Sequence, residues 1–137
     1  MPCVFCEIVA ERAPAVVVHR SNRAIAFLPK DGILAPGHTV VAPLAHAVDL
    51  FDVSEANLEA TMLLVKRLSE AMRVAIGANG VNVLHASGPH SEQSVLHLHF
   101  HVVPRWEGDG FTTWPSEVST VAPITGLVDR LAAWLNE

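Results

Sequence analysis

The stretch Val95-Leu96-His97-Leu98-His99-Phe100-His101-Val102-Val103-Pro104-Arg105 alternates apolar and imidazole side chains about its centre. Valine and phenylalanine favour extended backbone, so a strand is expected over Val95–Val103. Pro104 is expected to end it, because proline has no N–H to donate to a ladder. Along a strand, one face repeats every ~6.6–6.8 Å. His97, His99 and His101 therefore share a face, and Leu98, Phe100 and Val102 share the other and can enter the core. Three groups that titrate near neutral pH stand in one row.

Working outward, further strands are expected at Val16–His19 and Ala24–Leu28, joined by the turn residues Ser21-Asn22, and at His38–Ala42 after the Ala35-Pro36-Gly37 break. Val81–His85 is another. Between them Ser54 is a good helix N-cap. Leu58, Met62, Val65, Leu68, Met72 and Ile76 recur at helical spacing over Glu55–Ile76, which makes both methionines core residues. Gly77 suits the stop. Leu127, Val128, Leu131, Ala132 and Leu135 mark a short terminal helix, reached through a loop-like stretch from Glu107 to Pro123. Strands clustered around one long helix predict an α+β fold.

The chain has 137 residues, half of them hydrophobic and 17% charged. That suits one domain with a real core and argues against disorder. A net charge of −5 argues against a nucleic acid polymer as partner, which requires a basic face. No apolar run reaches the ~20 residues of a membrane span, so no membrane partner is expected. The start, MPCVFCEIVAERAP, lacks a basic region followed by an apolar stretch, so the cytoplasm is the expected compartment. Cys3 and Cys6 form a C-x-x-C pair, which without a secretory signal reads as a metal half-site or a redox pair rather than a disulfide.

Three chemistries suit the histidine row. It could ligate zinc. A neutral imidazole nitrogen could attack phosphorus or a carbonyl. Imidazolium groups could bind phosphate without turnover. A solvated row on an exposed sheet face is the plain alternative, and eight histidines in 137 residues, gathered in clusters, argue against it.

The segment His97–Arg105 resembles the motif of the histidine triad (HIT) family, and Gln93-Ser94-Val95-Leu96 extends the match. Ala24–Leu28, Pro36–His46 and Cys3–Val9 are similar to the family's earlier segments, so the likeness runs from about Cys3 to Arg105. It implies a HIT-like fold, an antiparallel meander sheet with one long helix and a short C-terminal helix, in a single domain over 1–137 whose tail from about 106 is family-variable. It implies a nucleotide hydrolase or transferase that cleaves a nucleoside monophosphate from a phosphoramidate, an adenylate or a dinucleoside polyphosphate. By the resemblance His99 is the nucleophile and forms a nucleotidyl-histidine intermediate. His101 binds phosphate oxygen, His38 orients the triad, and Gln93 and Ser94 hold the phosphate. Phe5, Ile8, Phe27 and Leu28 surround a purine, and Asp31 takes the ribose from a shifted position.

Members with the N-terminal C-x-x-C imply structural zinc on Cys3, Cys6, His46 and His97, with no catalytic metal. Trp114-Pro115 resembles the C-terminal Trp-Pro of a dimeric branch, so a homodimer is expected. The chain departs from the family between Leu84 and Glu92. The family's asparagine in an Asn-x-Gly context falls near residue 86, in Leu84-His85-Ala86-Ser87-Gly88-Pro89-His90; either His85 replaces the amide or nothing does. Glu92 stands where glycine is usual. That departure keeps a second reading open, a nucleotide-binding regulatory protein with little catalysis.

Overall fold

Ser54 opens the long helix as expected. Its hydroxyl accepts the Asn57 N–H, and the helix runs over Glu55–Ala75 with Gly77 just beyond it at φ 70°. The computed structural model describes residues 3–137, and in chain order its elements are α1 Val4–Val9, β1 Val17–Arg20, β2 Ala24–Phe27, β3 Thr39–Pro43, α2 Glu55–Ala75, β4 Gly80–Leu84, β5 Phe100–Arg105 and α3 Leu127–Leu135. Among the described residues five strands form one antiparallel sheet in the order β1-β2-β3-β5-β4. The first three strands meander. Helix α2 carries the chain to the far edge, and β5 returns to lie between β4 and β3. None of the described helices is long and apolar enough to cross a membrane.

Helix α2 packs on one sheet face. Leu64, Val65 and Met72 meet Ala24, Ala26, Val41, Leu98, Phe100 and Val102 there. Each large apolar side chain so buried contributes ~1.5–3 kcal/mol. The buried stripe is rotated from the expected one. Thr61 and Leu64 are buried, whereas Met62 is 40% and Ile76 48% exposed. A helix turns 3.6 residues at a time, so a stripe read along one edge drifts off the contact line within a few turns. On the opposite face Phe5, Ile25, Phe27, Val40 and Ala42 form a second cluster, closed by α1.

The histidine segment departs from expectation in one respect. Strand β5 starts at Phe100, and of the three histidines only His101 lies in it. His97 to His99 lead into it, held by the Leu98 N–H donating to the Ala47 carbonyl rather than by a neighbouring strand. The alternation still holds: Leu98 and Val102 are fully buried and Phe100 nearly so. Nor does Pro104 end the strand, since it pairs with Val81 and the strand continues to Arg105. Strand β3 accompanies β5 only over Phe100–Val102, so Pro104 is flanked by β4 alone and its missing N–H costs no ladder bond there.

Helix α1 was not anticipated. Its N-cap is Cys3, whose sulfur accepts the Cys6 N–H at 3.4 Å. Helix α3 forms where expected, but none of its residues is buried.

Candidate active site and metal cluster

Where β5 begins, its lead-in carries imidazoles into two different environments. On one side His97 is fully buried, and its Nε2–H donates to the Pro43 carbonyl at 2.9 Å. A carbonyl oxygen only accepts, so Nε2 carries the ring proton and Nδ1 carries the lone pair. That Nδ1 lies 3.4 Å from the Cys3 sulfur and 3.6 Å from the Cys6 sulfur. His46 Nδ1 is 3.3 Å from the Cys6 sulfur. One ligand atom from each of these four residues lies within 4.8 Å of the others.

A tetrahedral zinc site with bonds of ~2.0–2.3 Å separates its ligands by ~3.3–3.8 Å, and the three sulfur–nitrogen distances of 3.3, 3.4 and 3.6 Å fall in that range. Two thiols and two imidazoles gathered this closely are a donor set that suits zinc. Burial, followed by the adjoining Cys3, pushes the Cys6 thiol up to about 11. A cation between the sulfurs reverses that balance, because it favours thiolates.

On the other side His99 makes the opposite choice. Its Nδ1–H donates to the His97 carbonyl at 2.7 Å, which leaves the lone pair on Nε2. His101 is set by a chain of two bonds: the Leu34 N–H donates to His38 Nδ1 at 3.0 Å, and His38 Nε2–H donates to His101 Nδ1 at 2.9 Å. The proton of His101 is therefore on Nε2. The pair presents one bare nitrogen and one N–H, with ring centroids 5.0 Å apart. Burial lowers the pKa of His38, His97 and His99. It takes His101 to about 4, with help from the neighbouring His99, His38 and His85. All four rings are thus held neutral, the form in which imidazole is nucleophilic.

His99 and His101 open onto a cleft of about 230 Å³ whose far wall is Ser91 to Ser94. Ser94 lines it. Gln93 borders the cleft, but its amide is committed. Its Oε1 accepts the Gly88 N–H at 2.9 Å, and its Nε2 donates to the carbonyls of Val48 and Val95 at 2.6 and 3.0 Å. Both donors are used, so the side chain clamps three segments together. Glu92, with φ 71°, lines the same cleft. A second cavity of about 590 Å³ adjoins it, sharing Glu92 and Gln93 and walled by Val48, Asp49 and Leu96.

Phe5 stands edge-on to His99 at 5.0 Å, to His97 at 5.8 Å and to Phe27 at 5.1 Å. Ile8 packs on the same apolar cluster. Phe27 is buried there, while Leu28, the next residue, is 36% exposed. Asp31 is exposed in the β2–β3 connection and lines neither cavity. The Gln93 clamp and the Leu34 N–H that orients His38 have no signature in the sequence, because both depend on backbone groups that no side-chain pattern records.

The HIT domain family matches residues 10–108 of the chain. A HIT-like protein of Saccharolobus solfataricus is 37% identical over 107 residues, 78% of this chain and 76% of that one. A HIT-like protein of Mycobacterium tuberculosis is 35% identical, over 80% of this chain and 75% of its own. Among solved structures, a zinc-bound histidine triad family protein from Mycobacterium smegmatis superposes with a TM-score of 0.78 at 33% identity, covering 86% of this chain and 85% of that one. A HIT family protein from Bacillus subtilis superposes with a TM-score of 0.79 at 28% identity, over 99% and 96% of the two chains. With a buried histidine row at the mouth of a cleft and a C-x-x-C cluster behind it, this chain is a member of the histidine triad family.

Proposed function

We propose that the chain is a nucleotide hydrolase or transferase that cleaves a nucleoside monophosphate from a phosphoramidate, adenylate or dinucleoside polyphosphate through a nucleotidyl-histidine intermediate. The observation that carries this reading is the bare Nε2 of His99, fixed by the Nδ1–H bond to the His97 carbonyl, beside the Nε2–H of His101. Nε2 attacks the α-phosphorus, a P–N bond forms, and the leaving group departs with the electron pair and is protonated from solvent in the cleft. His101 donates to a phosphoryl oxygen as negative charge develops. Water then attacks phosphorus, and His99 leaves as neutral imidazole. Splitting one displacement into two is the advantage of covalent catalysis.

In this reading Ser94 contacts the phosphate. Phe5, Ile8, Phe27 and Leu28 form the purine side, and Asp31 reaches the ribose. Zinc on Cys3, Cys6, His46 and His97 would tie α1 to the β5 lead-in. Its role is structural, because His97 has no second lone pair to lend to the reaction. A homodimer covers the tail, whose Trp114 and Trp134 are 78% and 74% exposed.

Rapid mixing with a labelled adenylate tests the proposal. An acid-labile adduct on histidine is expected, and its absence would overturn the enzyme reading. The second reading, a nucleotide-binding regulator with little catalysis, is favoured by one observation: Glu92, an acidic residue, lines the cleft meant for an anion. Tight nucleotide binding without adduct would support it.

A further inference from the structure

The chain's departure from the family motif at Leu84–Gly88 coincides with a hydrogen-bond relay that ends on the nucleophile's own peptide unit. His85 Nδ1–H donates to the His99 carbonyl at 2.7 Å. Since that oxygen only accepts, the other ring nitrogen holds the lone pair, and it takes the Ser87 hydroxyl proton at 2.5 Å. The Ser87 oxygen in turn accepts the Leu50 N–H at 2.9 Å. Each group has one role and the direction is fixed throughout: Leu50 N–H to Ser87, Ser87 to His85, His85 to His99. The His85 ring also stacks on Phe100, at 4.5 Å and 29° between planes. It lines the cleft that holds His99 and His101.

We infer that His85 is a positioning residue for His99, held by Ser87, and that it does not itself contact the phosphorus. Both ring nitrogens are occupied, so it has neither a free lone pair nor a free N–H for the substrate. What it fixes is the plane of the peptide following His99. The backbone pairs with β3 and β4 only from Phe100 onward, so the carbonyl half of that peptide, which belongs to His99, is held by the His85 ring. The His99 ring is aimed by its bond to the His97 carbonyl, which survives only while this backbone stays in place. The inference rests on His99 being the nucleophile, and it accounts for a histidine and a serine at the place where the family pattern is broken.

Three variants of the full chain test it with adenosine 5′-phosphoramidate as substrate. His85→Phe keeps the stack on Phe100 and removes both hydrogen bonds. His85→Gln restores an N–H toward the His99 carbonyl. Ser87→Ala frees the ring's outer nitrogen without touching the catalytic row. For His85→Phe, kcat is expected to fall about 10- to 100-fold, the usual cost of a nucleophile displaced by an ångström or less. KM should stay within about twofold of the parent, as expected when ground-state binding is untouched. His85→Gln should recover most of kcat, and Ser87→Ala should lie between the two.

Equal losses in His85→Phe and His85→Gln, an undiminished kcat in His85→Phe, or a change confined to KM would each overturn the inference. If His85→Phe fails to fold, the order of His85→Gln above Ser87→Ala, both below the parent, carries the same test. A second readout separates this failure from failure of the enzyme reading. Nitrogen-15 spectra of the imidazoles should show His99 as a single Nδ1–H tautomer in the parent and as a tautomer mixture in His85→Phe. That shift is read without turnover. An unchanged His99 tautomer in His85→Phe would sink the positioning role even in a chain that catalyses nothing.

Discussion

His97 and His99 are two residues apart, both buried, and tautomers of opposite sense. His97 gives its Nε2 proton to the Pro43 carbonyl and turns Nδ1 to two sulfurs. His99 gives its Nδ1 proton to the His97 carbonyl and keeps Nε2 bare beside His101. In each case a backbone carbonyl selects which nitrogen stays unprotonated, and therefore which chemistry that ring can perform. In the proposed function one neighbour is a ligand and the other a nucleophile, although the side chains are identical. Identity of residue type thus says little about role in a buried histidine row.

The strongest test of this contrast is His99→Ala against Cys3→Ser. His99→Ala should lower kcat by about a thousandfold or more, as removal of a covalent nucleophile does, with nucleotide affinity retained. Turnover close to the parent's in that variant would erase the distinction between the two histidines.

Cys3→Ser, or a strong chelator, should act on stability instead. A tight cation at a thousandfold excess over Kd stabilises the folded chain by about 4 kcal/mol. Thermal unfolding followed with and without chelator should show a drop of that order, and kcat measured well below the unfolding midpoint should change less than twofold. Loss of kcat on chelation with an unchanged midpoint would make the metal catalytic and overturn the structural assignment of His97.

His38→Ala is expected to have a smaller effect. It removes the donor to His101 Nδ1 and lets that ring take either tautomer. A loss in kcat of about tenfold is expected, the lower end for misplacing a group that stabilises transition-state charge. His38→Asn, which can still donate, should recover part of it.

A pH series probes the same burial through stability. The His101 imidazole has a folded-state pKa of about 4, below its ordinary 6.5. The unfolded chain binds that proton first, so this contribution is fully present above about pH 6.5 and is lost as pH falls toward 4. The unfolding midpoint should be flat from pH 8 to 7 and decline below. His101→Asn should make that decline shallower; an identical decline in both would remove His101 from the account.

The smallest change is expected from deleting 127–137. None of the α3 residues is buried within the chain, so the unfolding midpoint at low protein concentration should barely move. If the tail joins two copies, light scattering should instead show the assembly weakening.

Much of this protein is written in local pattern. Ser54, the periodicity of Glu55–Ile76, and the alternation of Leu98, Phe100 and Val102 sufficed for the long helix, the inward face of the β5 segment and the histidine row. The physical reason is that capping, helical period and strand alternation act over a few residues, within reach of a reading along the chain. The spacing of Cys3 and Cys6 likewise marked a metal half-site or a redox pair, and likeness to the family added His46 and His97, which the fold gathers beside them. Tertiary structure decided what depends on partners far away in sequence. It placed His97 and His99 ahead of the paired strand, allowed Pro104 inside it, turned the α2 stripe toward Leu64, and committed the Gln93 amide to a clamp. Above all it chose the tautomers. Those follow from the carbonyls of Pro43, His97 and His99 and from the Leu34 N–H, and backbone groups carry no signature in the residue that happens to bear them.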